Sequence, residues 1–219
     1  MSPPPAQPKI YHILHVDRLP SVLADRHLFC DRRMNGRTGC GSAIGMSTIK
    51  QRRLTLSLHS HPGLHVGECV PFYFCPRSIM LFLIHCANHP ELTYQGGQGQ
   101  IIHLETNLHH VAAWADSKKV RWAFTLSNAG AFYFEDRCDL AQLGEINWGA
   151  VQATRWAGEG VPDSIKEGKQ AEFLLERQFP WTLVERIGVH SRTVAQQVAD
   201  ILGDARHRPR VEIRPDWYY

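Results

Sequence analysis

The stretch Lys169-Gln-Ala-Glu-Phe-Leu-Leu-Glu176 marks the point where a helical pattern gives way to a strand pattern. Before it, residues 163–170 predict a short charged helix. From position 171, Ala, Phe and Leu at the odd positions alternate with Glu, Leu and Glu at the even positions, which is the period of two that is typical of a strand. Glu172 is therefore expected at the start of a strand, where a carboxylate can point into a cleft and stabilise a developing cation. The alternative interpretation is a solvated strand face, shared with Glu176.

The length and composition indicate a globular protein with a real core. The chain has 219 residues, of which 43% are hydrophobic, and no apolar run approaches the length of a membrane span. The first nine residues are rich in proline and lack an apolar core segment, so they predict a disordered lead-in and not a signal peptide. We expect this lead-in over residues 1–9 and a single domain over residues 10–219.

The six cysteines are scattered, and none of them forms a C-x-x-C pair. A chain of this size needs no disulfide staples, so the pattern favours reduced thiols and a cytoplasmic location.

Basic residues gather in four clusters although the formal net charge is only +3. Clusters far apart in sequence can converge on one groove that tracks a phosphate backbone, or they can be unrelated solvated patches. The sequence leaves both interpretations open for the clusters, which lie at residues 32–33, 50–53, 118–121 and 206–214.

Strand and helix patterns are interleaved irregularly, which indicates an α+β fold in one domain. A helix is expected from Asp17, as its cap, to about Leu28, and Pro71 predicts an edge or a first pairing position for the strand that contains it. The principal expected strands are 9–15, 70–75, 100–104, 120–126, 131–135, 171–176, 183–189 and 211–214, and the principal expected helices are 47–53, 76–86, 106–116 and 191–202.

Two further motifs predict chemistry only weakly. His59, His61, His65 and Cys69 offer zinc ligands, but their spacing matches no established ligand pattern. The run Gly96-Gly-Gln-Gly99 lacks the strand before it and the helix after it that a dinucleotide-binding loop requires, so a hairpin end is the better interpretation.

Aromatic residues cluster around a predicted turn at residues 127–130. Asn128 with Phe132, Tyr133 and Phe134 offers faces on which a base could stack, although aromatic residues more often pack in a core.

Six motifs in the same order along nearly the whole chain resemble the DarT family of DNA ADP-ribosyltransferase toxins. They are Ile10-Tyr-His-Ile-Leu-His15, Gln51-Arg-Arg53, Val70-Pro-Phe-Tyr-Phe-Cys-Pro-Arg-Ser78, Tyr94-Gln-Gly-Gly-Gln98, Gln170-Ala-Glu-Phe-Leu174 and Asp216-Trp-Tyr-Tyr219.

The resemblance implies an ADP-ribosyltransferase fold, a mixed split β-sheet core with peripheral helices that clasps NAD. It implies transfer of ADP-ribose from NAD to a base, thymidine in the branch it resembles, in single-stranded DNA. A macrodomain antitoxin of the DarG type is the implied partner, no metal is expected, and residues 30–45 occupy the place of the family's NAD-covering loop, although their glycine-rich sequence departs from the family pattern.

By the same resemblance, Glu172 and Arg53 are the implied catalytic residues, and His12, Tyr73 and Arg77 are implied to bind NAD. A carboxylate near the ribose would stabilise the oxocarbenium character that forms when nicotinamide leaves. A guanidinium more easily stabilises an anion than acts as a base, so the role of Arg53 stays open. A guanosine-directed, RNA-directed or protein-directed transferase, and a nucleic-acid-binding module without activity, are the alternatives.

Overall fold

The computed structural model describes residues 2–219 and shows an α+β fold with one large sheet and a two-stranded ribbon. Met1 of the expected lead-in lies outside the described residues. The strands are β1 (Lys9–His15), β2 (His27–Phe29), β3 (Cys69–Tyr73), β4 (Ile101–Asn107), β5 (Trp122–Asn128), β6 (Asp136–Arg137), β7 (Ala171–Glu176), β8 (Gln178–Pro180), β9 (Arg186–Val189) and β10 (Arg210–Ile213). The α-helices are α1 (Leu19–Asp25), α2 (Asp31–Met34), α3 (Ser47–Arg53), α4 (Ile79–Cys86), α5 (Leu108–Lys118), α6 (Trp148–Gln152), α7 (Asp163–Gly168) and α8 (Arg192–Leu202).

The large sheet is split into two halves. Its strand order is β10-β9-β4-β1-β3-β7-β5-β6. β1 pairs with β4 along all seven of its residues, but it pairs with β3 only at Tyr11 and Tyr73. The two halves, β10-β9-β4-β1 and β3-β7-β5-β6, therefore separate on either side of one point of contact.

Pro71 and His12 keep the two halves apart. In an antiparallel strand the nitrogen and the carbonyl of one residue face the same neighbour, and the Pro71 carbonyl receives a hydrogen bond from a β1 side chain, His12. The Pro71 nitrogen therefore also faces β1, and it has no hydrogen to donate. β3 is an internal strand and Pro71 is its third residue, in register with Leu174 of β7, so the sequence expectation of an edge or a first pairing position is wrong. The proline is tolerated because its nitrogen faces the side on which β3 does not pair with β1 at this residue.

Strand β7 begins where the sequence predicts it and is buried along its whole length. The buried ammonium of Lys169 donates to the carbonyl oxygens of Val151 (2.7 Å) and Ala153 (2.9 Å), which fixes the chain just before the strand. The backbone N–H of Glu172 donates to Thr125 Oγ1 on β5. The solvated-face interpretation is therefore wrong for both carboxylates, since Glu172 and Glu176 are only 4% and 9% exposed.

The main core packs against the sheet through large apolar side chains. The fully buried rings of Phe72, Phe124, Phe173 and Phe179 belong to it. A smaller cluster forms where α4 packs against Trp217 and Tyr218, near the end of the chain. The Trp217 ring lies over Gly188, where a Cβ would come within 2.2 Å of it, so only glycine fits there.

Several predicted elements have different bounds. The first helix ends at Asp25, because Arg26 adopts a left-handed conformation and the chain then pairs as β2 with β8. Asp17 does not cap this helix, since its carboxylate accepts hydrogen bonds from Ser42 instead. The strand predicted over residues 131–135 is absent, and that segment forms a turn that exposes Phe132 and Tyr133.

The sequence predicts no membrane span and reduced thiols, and the structure bears on both predictions. Among residues 2–219, no helix has both the length and the apolarity that a membrane span requires. All six cysteines are free thiols.

The buried histidines predict a loss of stability in mild acid. Burial lowers the pKa of both His12 and His103 from 6.5 to about 4, against the opposing effect of their hydrogen bonds to backbone carbonyls. Below pH 6.5 these two histidines bind protons in the unfolded chain but stay neutral in the folded chain. The free energy of unfolding therefore falls as the pH drops toward 4. Each histidine adds a slope of at most about 1.4 kcal/mol per pH unit.

Urea unfolding of the wild type and of His103→Gln between pH 7 and pH 5 tests this expectation. The variant should lose the contribution of one histidine and show a shallower slope over that range. Equal slopes for the two proteins would contradict the assignment.

Candidate active site

A cavity of about 700 Å³ opens where the two halves of the sheet separate. Its walls are β1, β3 and the beginning of β7, the helices α3 and α4, the segment from α1 through β2 to α2, and the segment 37–46. The polar residues among those that line it include His12, Arg18, Asp25, Asp31, Arg37, Lys50, Arg53, Tyr73, Asn128, Gln170 and Glu172.

Arg53 and Glu172 form a two-pronged ion pair on the wall of this cavity. Arg53 Nη1 donates to Glu172 Oε1 at 3.1 Å, and Nη2 donates to Oε2 at 2.9 Å. Their exposed fractions are only 7% and 4%. Arg53 is the last residue of α3, while Glu172 is the second residue of β7, so the pair joins two elements that are 119 residues apart.

Arg53 is a cation with one unused donor. Burial opposes its charge, but the adjacent Glu172 carboxylate outweighs that effect and raises the pKa of Arg53 above its ordinary value. Its Nε is buried and meets no acceptor within residues 2–219. Such a guanidinium cannot act as a base, yet it can donate to an acceptor on a ligand.

His12 lines the cavity as a neutral imidazole. Its Nδ1 lies 2.8 Å from the Pro71 carbonyl oxygen, and because a carbonyl only accepts, Nδ1 carries the proton. With a pKa of about 4, lowered by burial, the ring is uncharged at neutral pH. Its other nitrogen, Nε2, is therefore left as an acceptor.

Of the two residues Tyr73 and Arg77, only Tyr73 lies on the wall of the cavity. Tyr73 lines the cavity opposite Glu172 in the β3–β7 register, and burial with the nearby Glu172 carboxylate raises the pKa of its hydroxyl, which stays protonated. Arg77 is not among the lining residues. Its guanidinium lies over the ring of Tyr219, 4.3 Å from the centroid.

The segment 37–46 covers one side of the cavity and is tied down by two carboxylates. The Asp17 carboxylate accepts from Ser42 N (2.9 Å) and from Ser42 Oγ (2.7 Å). Gly41 has a φ of 86° and approaches so closely that a Cβ there would lie 2.6 Å from Asp17 Oδ1. Arg37 Nη2 donates to both oxygens of Asp25. These glycine-rich residues are therefore an anchored wall.

Sequence reasoning missed Asp17 and Ser42 as anchors of this wall. Asp17 was visible only as a helix-cap candidate, and no local spacing signals a contact across 25 positions. Gln170 and Lys50 also line the cavity. Gln170 stood inside a quoted motif, and Lys50 was named only as part of the basic cluster at residues 50–53.

The three histidines of the segment 59–65 do not converge on one point. His59 Nδ1 lies 3.7 Å from Asp136, His61 Nε2 lies 2.8 Å from the Trp122 carbonyl, and His65 Nδ1 lies 3.1 Å from Glu68. Within residues 2–219 no group of three potential metal ligands is assembled.

The four basic clusters do not meet at this cavity. Of the four, only the one at residues 50–53 contributes to the wall of the cavity. Arg210 and Arg214 are engaged in ion pairs on the outermost strand of the sheet, and Arg121 is held by Glu176. The run Gly96-Gly-Gln-Gly99 leads into β4, but it is not the hairpin end that the sequence predicts, because the helix α4 precedes it and β4 pairs with β1 and β9.

The comparisons with known proteins agree on one family. A family model described as "ssDNA thymidine ADP-ribosyltransferase, DarT" matches residues 11–219. A protein of Thermus sp. (strain 2.9), described as a DNA ADP-ribosyl transferase, is 37% identical over 223 residues, which are 98% of each chain.

Two solved structures match the fold closely. The structure of Thermus sp. 2.9 DarT in complex with ADP-ribosylated ssDNA has a TM-score of 0.88 at 34% identity and covers 100% of this chain and 99% of its own. The same protein in complex with NAD+ has a TM-score of 0.82 at 34% identity, with 98% and 99% covered.

The split sheet has the fold of a DNA ADP-ribosyltransferase solved with NAD+ and with ADP-ribosylated ssDNA. The full-length agreement in sequence and structure then gives the family: this chain belongs to DarT, the single-stranded DNA thymidine ADP-ribosyltransferases. The fold expected from the resemblance is confirmed.

Breaking the Arg53–Glu172 pair on one side should destabilise the fold more than removing both charges. A single Arg53→Met change leaves a buried carboxylate uncompensated, at a cost of roughly 3–5 kcal/mol, with the lower end expected because the pair borders a cavity. The double variant Arg53→Met, Glu172→Leu should regain much of that loss. Urea unfolding at pH 7 measures both, and a double variant that is less stable than the single one would contradict this account.

Proposed function

We propose that this chain transfers ADP-ribose from NAD+ to thymidine in single-stranded DNA, and that the reaction takes place in the cavity between β1 and β3. The observation that carries the proposal is the buried Arg53–Glu172 pair on the cavity wall. The membership of the DarT family and the likeness to a relative solved with NAD+ support it.

The cavity has the size and charge that NAD+ requires. Its volume of about 700 Å³ lies within the range of small-molecule sites. Four cationic side chains line it, and one of them, Arg18, forms no ion pair with a carboxylate in the described part of the chain, so it is free to bind the diphosphate. The other three are Arg37, Lys50 and Arg53, and the lining carboxylates are Asp25, Asp31 and Glu172.

Glu172 is the residue that we assign to the first chemical step. The bond between nicotinamide and ribose breaks with its electron pair going to nicotinamide, and the ribose acquires oxocarbenium character. A carboxylate accepts up to about four hydrogen bonds, and Arg53 takes two, so Glu172 can still accept from a ribose hydroxyl. Arg53 meanwhile fixes the orientation of the carboxylate, so no reorganisation is needed as the charge develops.

We assign Arg53 a role at the thymine base that accepts ADP-ribose. A thymine ring nitrogen must give up its proton in order to bond to the ribose carbon. Proton loss places negative charge on the base, and the new bond to the oxocarbenium carbon then neutralises that charge. Because the raised pKa keeps Arg53 protonated, it stabilises this anion through Nε and does not take the proton. The proton therefore passes to Glu172 or to solvent.

The three residues implied to bind NAD receive different assignments. We assign His12 Nε2 as an acceptor for a hydroxyl of NAD+, because Nδ1 is already engaged with Pro71. Tyr73 is assigned as a neutral hydroxyl donor beside Glu172. For Arg77 we propose only an indirect part, through its packing on Tyr219.

The test is incubation with labelled NAD+ and four single-stranded oligonucleotides, each with one kind of reactive base, followed by mass spectrometry. We expect an ADP-ribose adduct on the thymidine oligonucleotide only. In Glu172→Ala the rate should fall at least about 100-fold while NAD+ still binds, because the lost interaction belongs to the transition state.

The matched control is Glu176→Gln. It changes a buried carboxylate on the same strand that pairs with Arg121 and does not line the cavity, so it should keep the activity. A Glu172 variant with normal turnover would remove Glu172 from the mechanism. An adduct on guanosine, RNA or protein would identify one of the alternative acceptors, and NAD+ binding without any transfer would identify an inactive binding module.

We further propose that the chain is the toxin of a toxin–antitoxin pair in the cytoplasm, with a macrodomain antitoxin of the DarG type as its partner. The support is the family alone. Expression of the wild type should arrest bacterial growth, expression of Glu172→Ala should not, and co-expression of such a macrodomain should restore growth. Growth arrest that is equal for the wild type and Glu172→Ala would contradict a toxicity based on transfer.

A further inference from the structure

The segment 37–46 is fixed to one face of the chain that precedes it. Asp17, Ser21 and Asp25 are spaced four residues apart in the 3₁₀ turn and helix over residues 16–25, so their side chains share one face. Each of the three contacts the segment, and their partners, in the same order, are Ser42, Cys40 and Arg37. The segment therefore runs antiparallel to α1 and is held at three points along it.

Asp17 binds the segment through two charge-assisted hydrogen bonds. The backbone N–H of Ser42 donates to Asp17 Oδ1 at 2.9 Å, and the Ser42 hydroxyl donates to Oδ2 at 2.7 Å. Burial raises the pKa of Asp17, but the hydrogen bonds from Ser42 outweigh it and hold that pKa below its ordinary value. The carboxylate is therefore charged at neutral pH and accepts both bonds.

Asp17 and Ser42 lie behind the wall of the cavity and not on its surface. Neither residue lines the cavity, whereas Gly41 and Ala43, on either side of Ser42, both do. Gly41 leaves no room between the wall and Asp17, since a Cβ at this position would lie 2.6 Å from Asp17 Oδ1. Asp17 can consequently act on a ligand in the cavity only through the position of the segment.

The part of the segment that lines the cavity carries no charge. Its lining residues from Thr38 to Met46 are small or apolar, so they offer surface and backbone groups but no acid, base or counter-charge. A wall of this kind contacts the bound dinucleotide equally before and during the reaction. Its contribution therefore belongs to KM and not to kcat.

The three anchors join protein groups to protein groups, so they need nothing from NAD+. A loop that becomes ordered only when a ligand binds lowers the affinity by the free energy of that ordering. A segment that is fixed beforehand avoids this loss.

We propose that Asp17 is a positioning residue for NAD+, which fixes the segment 37–46 through Ser42 as a wall before the dinucleotide binds and thereby sets the affinity for NAD+ without touching it. Ser21 and Asp25 support the same segment from the next two turns of the chain. This role rests on the proposed function, because it requires NAD+ in this cavity.

The first test measures the affinity for a non-hydrolysable NAD+ analogue by isothermal titration calorimetry. Asp17→Ala should raise Kd about tenfold, because it removes both bonds to Ser42. Ser42→Ala is the milder variant; it keeps the backbone N–H and should raise Kd only about threefold. Asp17→Asn should bind within about twofold of the wild type, because its amide oxygen can accept from the N–H and its amide nitrogen can donate to the hydroxyl.

Steady-state transfer kinetics separate positioning from catalysis and from loss of structure. Asp17→Ala should raise KM for NAD+ about tenfold, while kcat and KM for DNA stay within about twofold. The matched control is Asp139→Ala, which removes a carboxylate that accepts from the backbone N–H of Ala141 and does not line the cavity. It should leave KM for NAD+ unchanged.

Hydrogen exchange examines the wall when no NAD+ is added. The Ser42 amide should exchange slowly in the wild type and in Asp17→Asn. It should exchange at least about tenfold faster in Asp17→Ala, which loses its acceptor, and in Gly41→Ala, where the new Cβ pushes the segment away from Asp17.

The outcomes distinguish this role from the proposed function. If the affinity for the analogue depends on Asp17 and the Ser42 amide is protected, but no thymidine is modified, the proposed transfer is wrong and the positioning role stands. The role is overturned if Asp17→Ala leaves Kd unchanged, if Asp17→Asn binds as weakly as Asp17→Ala, or if the Ser42 amide becomes protected only after NAD+ is added. A wild type that does not bind the analogue would overturn both.

Discussion

The structure depends on a constraint at the centre of the sheet, namely that β1 and β3 form one backbone pair and then separate. Pro71 cannot donate to β1, and the His12 side chain occupies its carbonyl, so the ladder cannot close at this point. The sheet consequently contains a cleft that is bordered by strands and completed by helices. A site built on strands holds its side chains more firmly than one built on loops, and the anchored segment 37–46 closes the remaining side.

In the mechanism that we propose, the Arg53–Glu172 pair joins this architecture to the chemistry. Burying either charge without the other would destabilise the folded state, because the remaining charge would be uncompensated. Each side chain therefore stabilises the other in its buried position. The same pairing keeps Arg53 charged and orients Glu172 toward the cavity.

Much of this could be predicted from the sequence, and the parts that could not have a common cause. Period-two alternation located β7 and the place of Glu172, because strand geometry is local. The role of Asp17 depends on a contact with Ser42 that is distant in sequence, so a plausible helix cap became a loop anchor. Residues 131–135 have strand composition, but a turn in the chain overrides that preference. The Arg53–Glu172 contact, across 119 positions, follows from tertiary packing. At the level of the sequence, only the resemblance to DarT assigned both residues to one site.

We propose that NAD+ reacts beside Glu172, at the opening between β1 and β3. The most direct measurement is a crystal structure of this chain with a non-hydrolysable NAD+ analogue. The account predicts that the analogue lies in the cavity at the split, with a hydroxyl of the nicotinamide ribose within about 3.2 Å of a Glu172 carboxylate oxygen and Arg53 still paired to that carboxylate. An analogue bound elsewhere, or one whose ribose faces away from Glu172, would contradict it.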